Sequence, residues 1–391
     1  MSATPLVGLK VVEFTHMVMG PAVGHILASL GAEVVRVEPI GGDATRRLLG
    51  SGAGYFPMYN RHKESICLDL KSAAGLVVAQ QLAAKADILI ENFRPGALDR
   101  LGLGYDALAI DNPRLIYCSE KGFLAGPYEN RTALDEVAQM MGGLAYMTGP
   151  PGKPLRAGSS VIDVTGGMFG VIGVLAAVEE RHRTGRGQKV VSSLFETTVY
   201  LVGQHMAQMA VTGKAAAPMP ARISAWAIYD VFETVDDRPV FIGVVTDSLW
   251  EKFCALFGLD ALWADETLRL NNQRVLARDW IMPEVRALIK TFTRDAVIAK
   301  LDGTGLPFAP IGRPEDMFDD LHLLASGGLE TVTLDDGRVA HLPPLPLEMG
   351  GVRVNADAAL PVPGRDSDSV LAGLGYDVAA IEELKAAGAV G

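Results

Sequence analysis

The stretch 9-LKVVEFTHMVMGPAVGHILASLGAEVVRVE-38 changes its hydrophobic period twice within thirty residues. Its first part, 9-LKVVEFT-15, is a continuous apolar run of strand length. The middle, 20-GPAVGHILASLGA-32, has the spacing of a helix with small residues on its first turns. The end, 33-EVVRVE-38, returns to strand character. Strand, helix, strand in so short a span is a β-α-β unit, whose two strands lie parallel.

Working outward, the same alternation recurs through 65-SICLDL-70, 73-AAGLVVAQQLAAKA-86, 87-DILIEN-92, 114-RLIYCS-119 and 188-QKVVSSL-194. The pattern predicts an α/β fold, a parallel sheet covered by helices on both faces, with ligands gathered beyond the carboxyl ends of the strands. At 212-TGKAAAPMPARIS-224 the composition turns Pro/Ala-rich and reads as a linker. Beyond it, 228-IYDVFETVDDRPVFIGVV-245 alternates like a hairpin around Asp236 and Asp237, and amphipathic helices follow near 248–258 and 281–293. A second proline-rich connector, 342-LPPLPLEMGG-351, leads to short helices around 366–375 and 377–388. The expected domains are a large one from 1–198 and 350–391, a linker at 199–224, a small α+β domain at 225–325 and a return linker at 326–349.

A chain of 391 residues is long enough for about two domains. Its 49% hydrophobic and 21% charged residues are those of a globular protein. The net charge of −11 argues against nucleic acid as a partner, which needs clustered Lys and Arg to displace counterions. Cys67, Cys118 and Cys254 lie far apart with no C-x-x-C spacing, which fits a reducing cytoplasm and offers neither disulfide nor metal site. The N-terminus has no targeting pattern. The most apolar stretch, 161–178, contains an aspartate and falls short of the roughly 20 residues of a membrane span, so no membrane is expected as a partner.

That aspartate, Asp163, sits in 158-GSSVIDVTGGMFGVIGVLAAVEERHRTGRG-187 with Gly166 and Gly167 behind it. Burying a carboxylate without a partner is costly. Asp163 therefore either caps a helix beginning near Thr165 or does chemistry. Other chemistries lack their residues: no H-E-x-x-H, G-x-S-x-G or P-loop pattern occurs, and the seven histidines do not cluster at metal-ligand spacing. The first strand-helix turn, 14-FTHMVMGPAVG-24, offers only Gly20 and Gly24, four apart, without the G-x-G of a dinucleotide site.

The segments 8-GLKVVEFTHMVMGP-21, 91-ENFRPGALDRLGLGYDAL-108, 184-TGRGQKVVSSLFET-197 and 364-GRDSDSVLAGLGYD-377, together and in this order, resemble the family III CoA-transferases, the CaiB/BaiF group. The group includes formyl-CoA transferase, succinyl-CoA-dependent dicarboxylate CoA-transferases and α-methylacyl-CoA racemase. The resemblance implies a Rossmann-like large domain plus a small α+β domain, in an interlocked homodimer. It implies an enzyme moving CoA from an acyl-CoA donor, succinyl-CoA by analogy, to a C4 or C5 dicarboxylate, with acyl-CoA as substrate and no tightly bound cofactor. Asp163 matches the family's nucleophile, forming an aspartyl anhydride and then an aspartyl-CoA thioester. A carboxylate with a reference pKa of about 3.9 is ionised for this task at neutral pH.

By the same resemblance, CoA contacts fall on Val18, Met19, Leu70, Lys71, Asn92, Phe93, Arg94, Arg100, Arg131, Leu134 and Asp135. His16, Arg46 and Arg131 are available for a distal substrate carboxylate, and Gly166 and Gly167 would leave room for the acyl group. Three departures refine this. Leu134 stands where racemases carry a histidine, which favours transfer over epimerisation. Val18 replaces the glutamine of formyl-CoA transferases, and 224-SAWAIYD-230 replaces their glycine run, which argues against oxalate and formate. Pro39 stands where some relatives place a CoA-binding arginine, so either Arg36 or Arg46 substitutes or the contact is absent. An acyl-CoA racemase or isomerase and a non-catalytic acyl-CoA-binding protein are the competing readings.

Overall fold

A computed structural model describes residues 4–222, 224–354 and 360–391. Parts of the expected domain ranges, at 1–3, 223 and 355–359, lie outside the described residues. The chain forms two compact units, residues 1–220 with 321–391, and residues 221–320.

The first unit is built on a six-stranded sheet. Its strands are β1 (Lys10–Phe14), β2 (Glu33–Glu38), β3 (Glu64–Cys67), β4 (Ile88–Glu91), β5 (Ile116–Lys121) and β6 (Lys189–Ser193), in the order β3-β2-β1-β4-β5-β6. All five pairings are parallel. Val11, Val12, Phe14, Ile88, Leu89 and Ile90 are buried, as the near-continuous apolar runs of strands covered on both faces require. The helices are α1 (Met19–Ser29), α2 (Tyr55–Tyr59), α3 (Ala73–Lys85), α4 (Tyr105–Asp111), α5 (Asp135–Met141), α6 (Leu144–Thr148), α7 (Val161–Thr184) and α8 (Leu194–Thr212). Because β1 lies between β2 and β4, successive strands are added on opposite sides of it, and a crevice opens beyond the ends of β1 and β4.

Helix α7 has the length and apolarity of a membrane span, yet Val171, Val174, Ala177 and Val178 are buried in the core that covers β1, β4 and β5. Its approach to α1 depends on glycine. A Cβ at Gly167 would stand 2.8 Å from the carbonyl oxygen of Met19, and one at Gly166 would stand 2.5 Å from the Met19 methyl. One turn further, a Cβ at Gly170 would stand 2.1 Å from Oε1 of Glu120.

A buried ion network ties the first strands together. Glu13 accepts from Lys63 Nζ at 2.9 and 3.0 Å and from Arg36 at 2.8 Å, and Arg36 also pairs with Asp43. Glu38 accepts from Arg46 at 2.7 and 2.9 Å and from the Ser65 hydroxyl at 2.7 Å. Opposite charges at hydrogen-bond distance offset the desolvation that each group would otherwise bear alone.

The 199–224 segment is not linker throughout, because α8 continues to Thr212 before the chain turns at Gly213 with φ of 68°. Residues 326–349 likewise contain an antiparallel hairpin, β10 (Glu330–Thr333) with β11 (Val339–Leu342), anchored to the sheet unit by the buried pair Arg61–Glu330. It follows the short α14 (Leu321–Ala325) and precedes the pair β12 (Glu348–Met349) and β13 (Val352–Arg353). Helices α15 (Ser367–Leu374) and α16 (Val378–Ala386) then pack Leu371 and Ile381 into the core beside α3.

The second unit holds the antiparallel sheet β7 (Tyr229–Phe232), β8 (Val240–Gly243) and β9 (Phe308–Pro310). Helices α9 (Asp247–Phe257), α10 (Asp260–Ala264), α11 (Asn271–Leu276), α12 (Arg278–Ile289) and α13 (Arg294–Leu301) close a core around Trp250, Phe253, Ile281 and Val285. The β7–β8 turn places Asp237 at φ of 54°, a conformation that aspartate tolerates better than most residues.

Replacing Gly167 with Ala pushes α7 off the α1 backbone. Scanning calorimetry should show a lower Tm, corresponding to about 1–3 kcal/mol of overpacking. An unchanged Tm would mean that the two helices do not approach this closely.

Candidate active site

A cavity of about 260 Å³ lies beyond the carboxyl ends of β1, β4 and β5, where the sheet topology predicts a ligand. His16 to Met19 form one wall, Asn92 and Glu120 to Gly122 another, and Leu134, Asp135, Arg156, Tyr55 and Asp163 complete it. The first wall is held by its neighbours. The His16 amide donates to Asn92 Oδ1 at 3.0 Å, while Asn92 Nδ2 donates to the His16 carbonyl at 2.8 Å. The Met17 amide donates to Thr45 Oγ1 at 3.2 Å. Met17 itself has φ of 63°, a strained conformation that these bonds stabilise.

Asp163 lies inside the first turn of α7, which begins at Val161 and not near Thr165. The cap comes from another helix. Oδ2 of Asp135, at the start of α5, accepts from the amides of Ile162 at 2.8 Å and Asp163 at 3.2 Å. Its Oδ1 accepts from Gln139 at 2.5 Å and lies 3.6 Å from the Arg156 guanidinium. Relieved of capping, the Asp163 carboxylate faces the cavity, and among the described residues no group donates a hydrogen bond to it.

Burial pushes the Asp163 carboxyl up to about 7, the neighbouring Asp135 carboxylate pushes in the same direction, and Arg156 partly offsets them. This replaces the ordinary carboxylate value expected from sequence. Burial also lowers His16, with Asp43 and Arg36 acting in opposite directions, so its imidazole is neutral at pH 7. Burial disfavours the charge on Glu38, but Arg46, Arg36 and the Asp43 amide outweigh it and hold its carboxyl at about 2.

Of the residues expected from sequence, His16, Val18, Met19, Asn92, Leu134, Asp135 and Asp163 all line this cavity. Phe93 stands behind His16 with ring centroids 5.3 Å apart. Leu70, Lys71, Arg94, Arg100 and Arg131 are not among the lining residues; the four cations are exposed, and Arg131 stacks on Tyr128. Arg46 is committed to Glu38, to the Pro361 carbonyl at 2.7 Å and to the face of Phe56, so it does not reach the cavity. Arg36 is fully buried on Glu13 and Asp43, so both arginines named for the Pro39 position are engaged in buried ion pairs. Gly166 and Gly167 face α1 and leave room for helix packing, not for a ligand. Glu120, Arg156 and Tyr55 were missed. For Glu120 the signal was available, a charged residue at the carboxyl end of an apolar strand, whereas Arg156 and Tyr55 lie in irregular sequence with no pattern to mark them.

A parallel, doubly wound sheet carrying a carboxylate-lined cavity at its switch point is the architecture of an α/β enzyme. The chain belongs to CoA-transferase family III, whose model matches residues 6–367, and it is a CoA-transferase. It is 37% identical over 317 residues to an acetyl-CoA:oxalate CoA-transferase of Acetobacter aceti, covering 78% of this chain and 80% of that one. It is 31% identical to a succinate–glutarate CoA-transferase of Agrobacterium fabrum, over 95% of this chain and 96% of that one. A crystal structure of a CAIB/BAIF family protein from Brucella suis superposes with a TM-score of 0.84 at 32% identity, covering 95% of this chain and all of the other.

The raised Asp163 carboxyl has a consequence for stability. In the unfolded chain it releases its proton near pH 4, but in the folded protein it does so near pH 7. The folded state therefore carries a penalty that grows between these values and is complete above pH 7. Asp163→Asn removes it, so the gain in Tm over wild type should be larger at pH 8 than at pH 5.5. Equal gains at both pH values would show that Asp163 titrates as an ordinary carboxylate.

Proposed function

We propose that Asp163 is the nucleophile of a CoA transfer from an acyl-CoA, succinyl-CoA by analogy, to a C4 or C5 dicarboxylic acid. The observation that carries this reading is a carboxylate in the cavity at the sheet's switch point that does not cap its own helix and, among the described residues, accepts no hydrogen bond. An Asp163 oxygen attacks the thioester carbonyl, the C–S bond breaks, and CoA thiolate leaves an aspartyl acyl anhydride. Thiolate attacks the aspartyl carbonyl, expelling the first acid and forming an aspartyl-CoA thioester. The acceptor carboxylate attacks that thioester and releases thiolate. Thiolate then attacks the new acyl carbonyl and restores Asp163. No net proton is consumed, and each intermediate is an activated acyl group.

Asp135 positions the nucleophile, because its two bonds to the α7 amides fix the turn from which Asp163 projects. The uncapped start of α1 at Val18 and Met19 offers backbone amides toward the negative charge that develops on a carbonyl oxygen. The exposed Lys71, Arg94, Arg100 and Arg131 supply positive charge for the CoA phosphates. Leu134, apolar and exposed on the cavity, offers no proton for epimerisation. Acyl-CoA is a substrate in this reading, with no resident cofactor, and three buried free cysteines suit a reducing cytoplasm.

The working form is a homodimer whose two subunits are threaded through each other, as the family resemblance implies. It is supported by the apolar side chains that α7 and α8 expose, Ile172, Tyr200, Met206 and Val211. Light scattering should find a dimer at micromolar concentration, and a stable, active monomer would overturn the assembly.

Asp163→Ala should abolish transfer while CoA affinity stays within a few-fold. Retention of a tenth of wild-type turnover would remove Asp163 from the nucleophile role. Because only the ionised carboxylate attacks, kcat/KM for acyl-CoA should rise tenfold per pH unit up to about pH 7 and then level off. Arg156→Gln removes the cation that favours ionisation, so this limb should move to higher pH. A profile already flat at pH 5 would contradict the raised carboxyl.

A further inference from the structure

An anionic acid entering the cavity meets Asp135, Glu136 and Asp163 along its walls, and so needs a cation to hold it. Arg46 is committed to Glu38, and Arg131 lies on Tyr128 outside the cavity. The lining residues include two other cations, Lys121 and Arg156. Lys121 is engaged twice, pairing with Glu91 at 2.6 Å and donating to the Phe93 carbonyl at 2.8 Å. Arg156 has donors to spare. Its Nε donates to the Ala157 carbonyl at 3.1 Å and its Nη1 to Glu136 at 2.9 Å. Its Nη2 stands 3.6 Å from Asp135, too far for a hydrogen bond, and donates none among the described residues. The Arg156 side chain is 31% exposed, whereas those of Arg36 and Arg46 are sealed in their ion pairs.

We propose that Arg156 binds the acceptor acid, its guanidinium clamping the carboxylate of a dicarboxylate that does not react while the other carboxylate reaches Asp163. This rests on the reading of Asp163 as nucleophile. The two residues are joined through one carboxyl group. Asp135 lies 3.6 Å from the guanidinium with one oxygen and accepts from the Asp163 amide at 3.2 Å with the other. Arg156 acts on the Asp163 carboxyl by Coulomb attraction, but no ion pair joins them, so the guanidinium stands clear of the reacting group.

The chemistry of the transfer decides which carboxylate is clamped. A guanidinium edge engages both oxygens of a carboxylate and withdraws the lone pairs that would attack, so the clamped group is the one that does not react. A four- or five-carbon diacid holds its carboxyl carbons about 4–5 Å apart, whereas in oxalate one bond of about 1.5 Å joins them. A cation that stands clear of Asp163 therefore suits the longer acid. An acid with a plain alkyl tail gains nothing from the guanidinium, so the site discriminates by a charged partner and not by size.

The test compares CoA transfer from succinyl-CoA to glutarate and to pentanoate, equal in length but lacking the second carboxylate. In Arg156→Gln, the ratio of kcat/KM for glutarate over pentanoate should fall at least tenfold. The same substitution shifts the ionisation of Asp163, but that acts on both acceptors alike and cancels in the ratio. In Arg156→Lys, which keeps the charge without the fork, the ratio should fall by less than in Arg156→Gln. An unchanged ratio in Arg156→Gln, with both acids losing rate equally, would mean that Arg156 only positions Asp135 and would overturn the assignment. A wild-type preference for oxalate over glutarate would also overturn it. If Arg156→Gln does not fold, Arg156→Lys decides, with a ratio at least threefold below wild type in support and an unchanged ratio against. If wild type transfers no CoA, the nucleophile reading fails, and calorimetric binding of glutarate in the presence of CoA decides on Arg156. Affinity at least tenfold weaker in Arg156→Gln supports the clamp, and equal affinities overturn it.

Discussion

The close approach of α7 to α1 is the contact on which the site depends. Helices normally sit 8–10 Å apart because side chains separate them. Here Gly166, Gly167 and Gly170 remove side chains along one stripe of α7, and the Met19 backbone fills the groove. That contact sets the depth at which the first turn of α7 meets the strand ends, and so where Asp163 stands. It also makes the pocket in which the Glu120 carboxyl lies. The glycines thus act through packing, and any bulk on this stripe would move both carboxylates.

Around this contact, charge is divided into two kinds of environment. In the Glu13–Lys63–Arg36–Asp43 and Glu38–Arg46 groups every carboxylate has a cation at hydrogen-bond distance, and these pairs hold the loops after β1 and β2. On the cavity side Glu136 has Arg156 at 2.9 Å, but among the described residues Asp163 and Glu120 lack a cation at hydrogen-bond distance. Asp163 has Arg156 only through Coulomb attraction, and Glu120 has a thiol. The same residue type is therefore held near 2 at Glu38 and raised to about 7 and about 8 at Asp163 and Glu120. Groups whose environments push their proton affinities apart are those suited to distinct tasks in a reaction.

Helix α7 also illustrates a division of labour at a helix start. A capping aspartate spends its oxygens on its own helix. Here Asp135 supplies the cap from α5, and Asp163 remains in the first turn with no donor to its oxygens among the described residues. Asp135 is itself held by Gln139 and Arg156, so the position of Asp163 is supported from outside its own helix.

The parallel sheet was legible from residues 9–38 and the alternation that follows, because strands buried on both faces need unbroken apolar runs and parallel neighbours need helical crossovers. Asp163 stood out for a related reason, a charge in an apolar run before glycines. The sequence could not say that Asp135, 28 residues earlier, caps α7, since a cap from another helix leaves no local spacing. Nor could it separate Arg46, spent on Glu38 and Phe56, from an arginine free for substrate, because both read as a basic residue after a strand. The proton affinities of Asp163 and Glu120 were likewise settled only when folding removed water and set their neighbours. Desolvation and charge pairing depend on which distant residues meet, and that is a property of the tertiary structure.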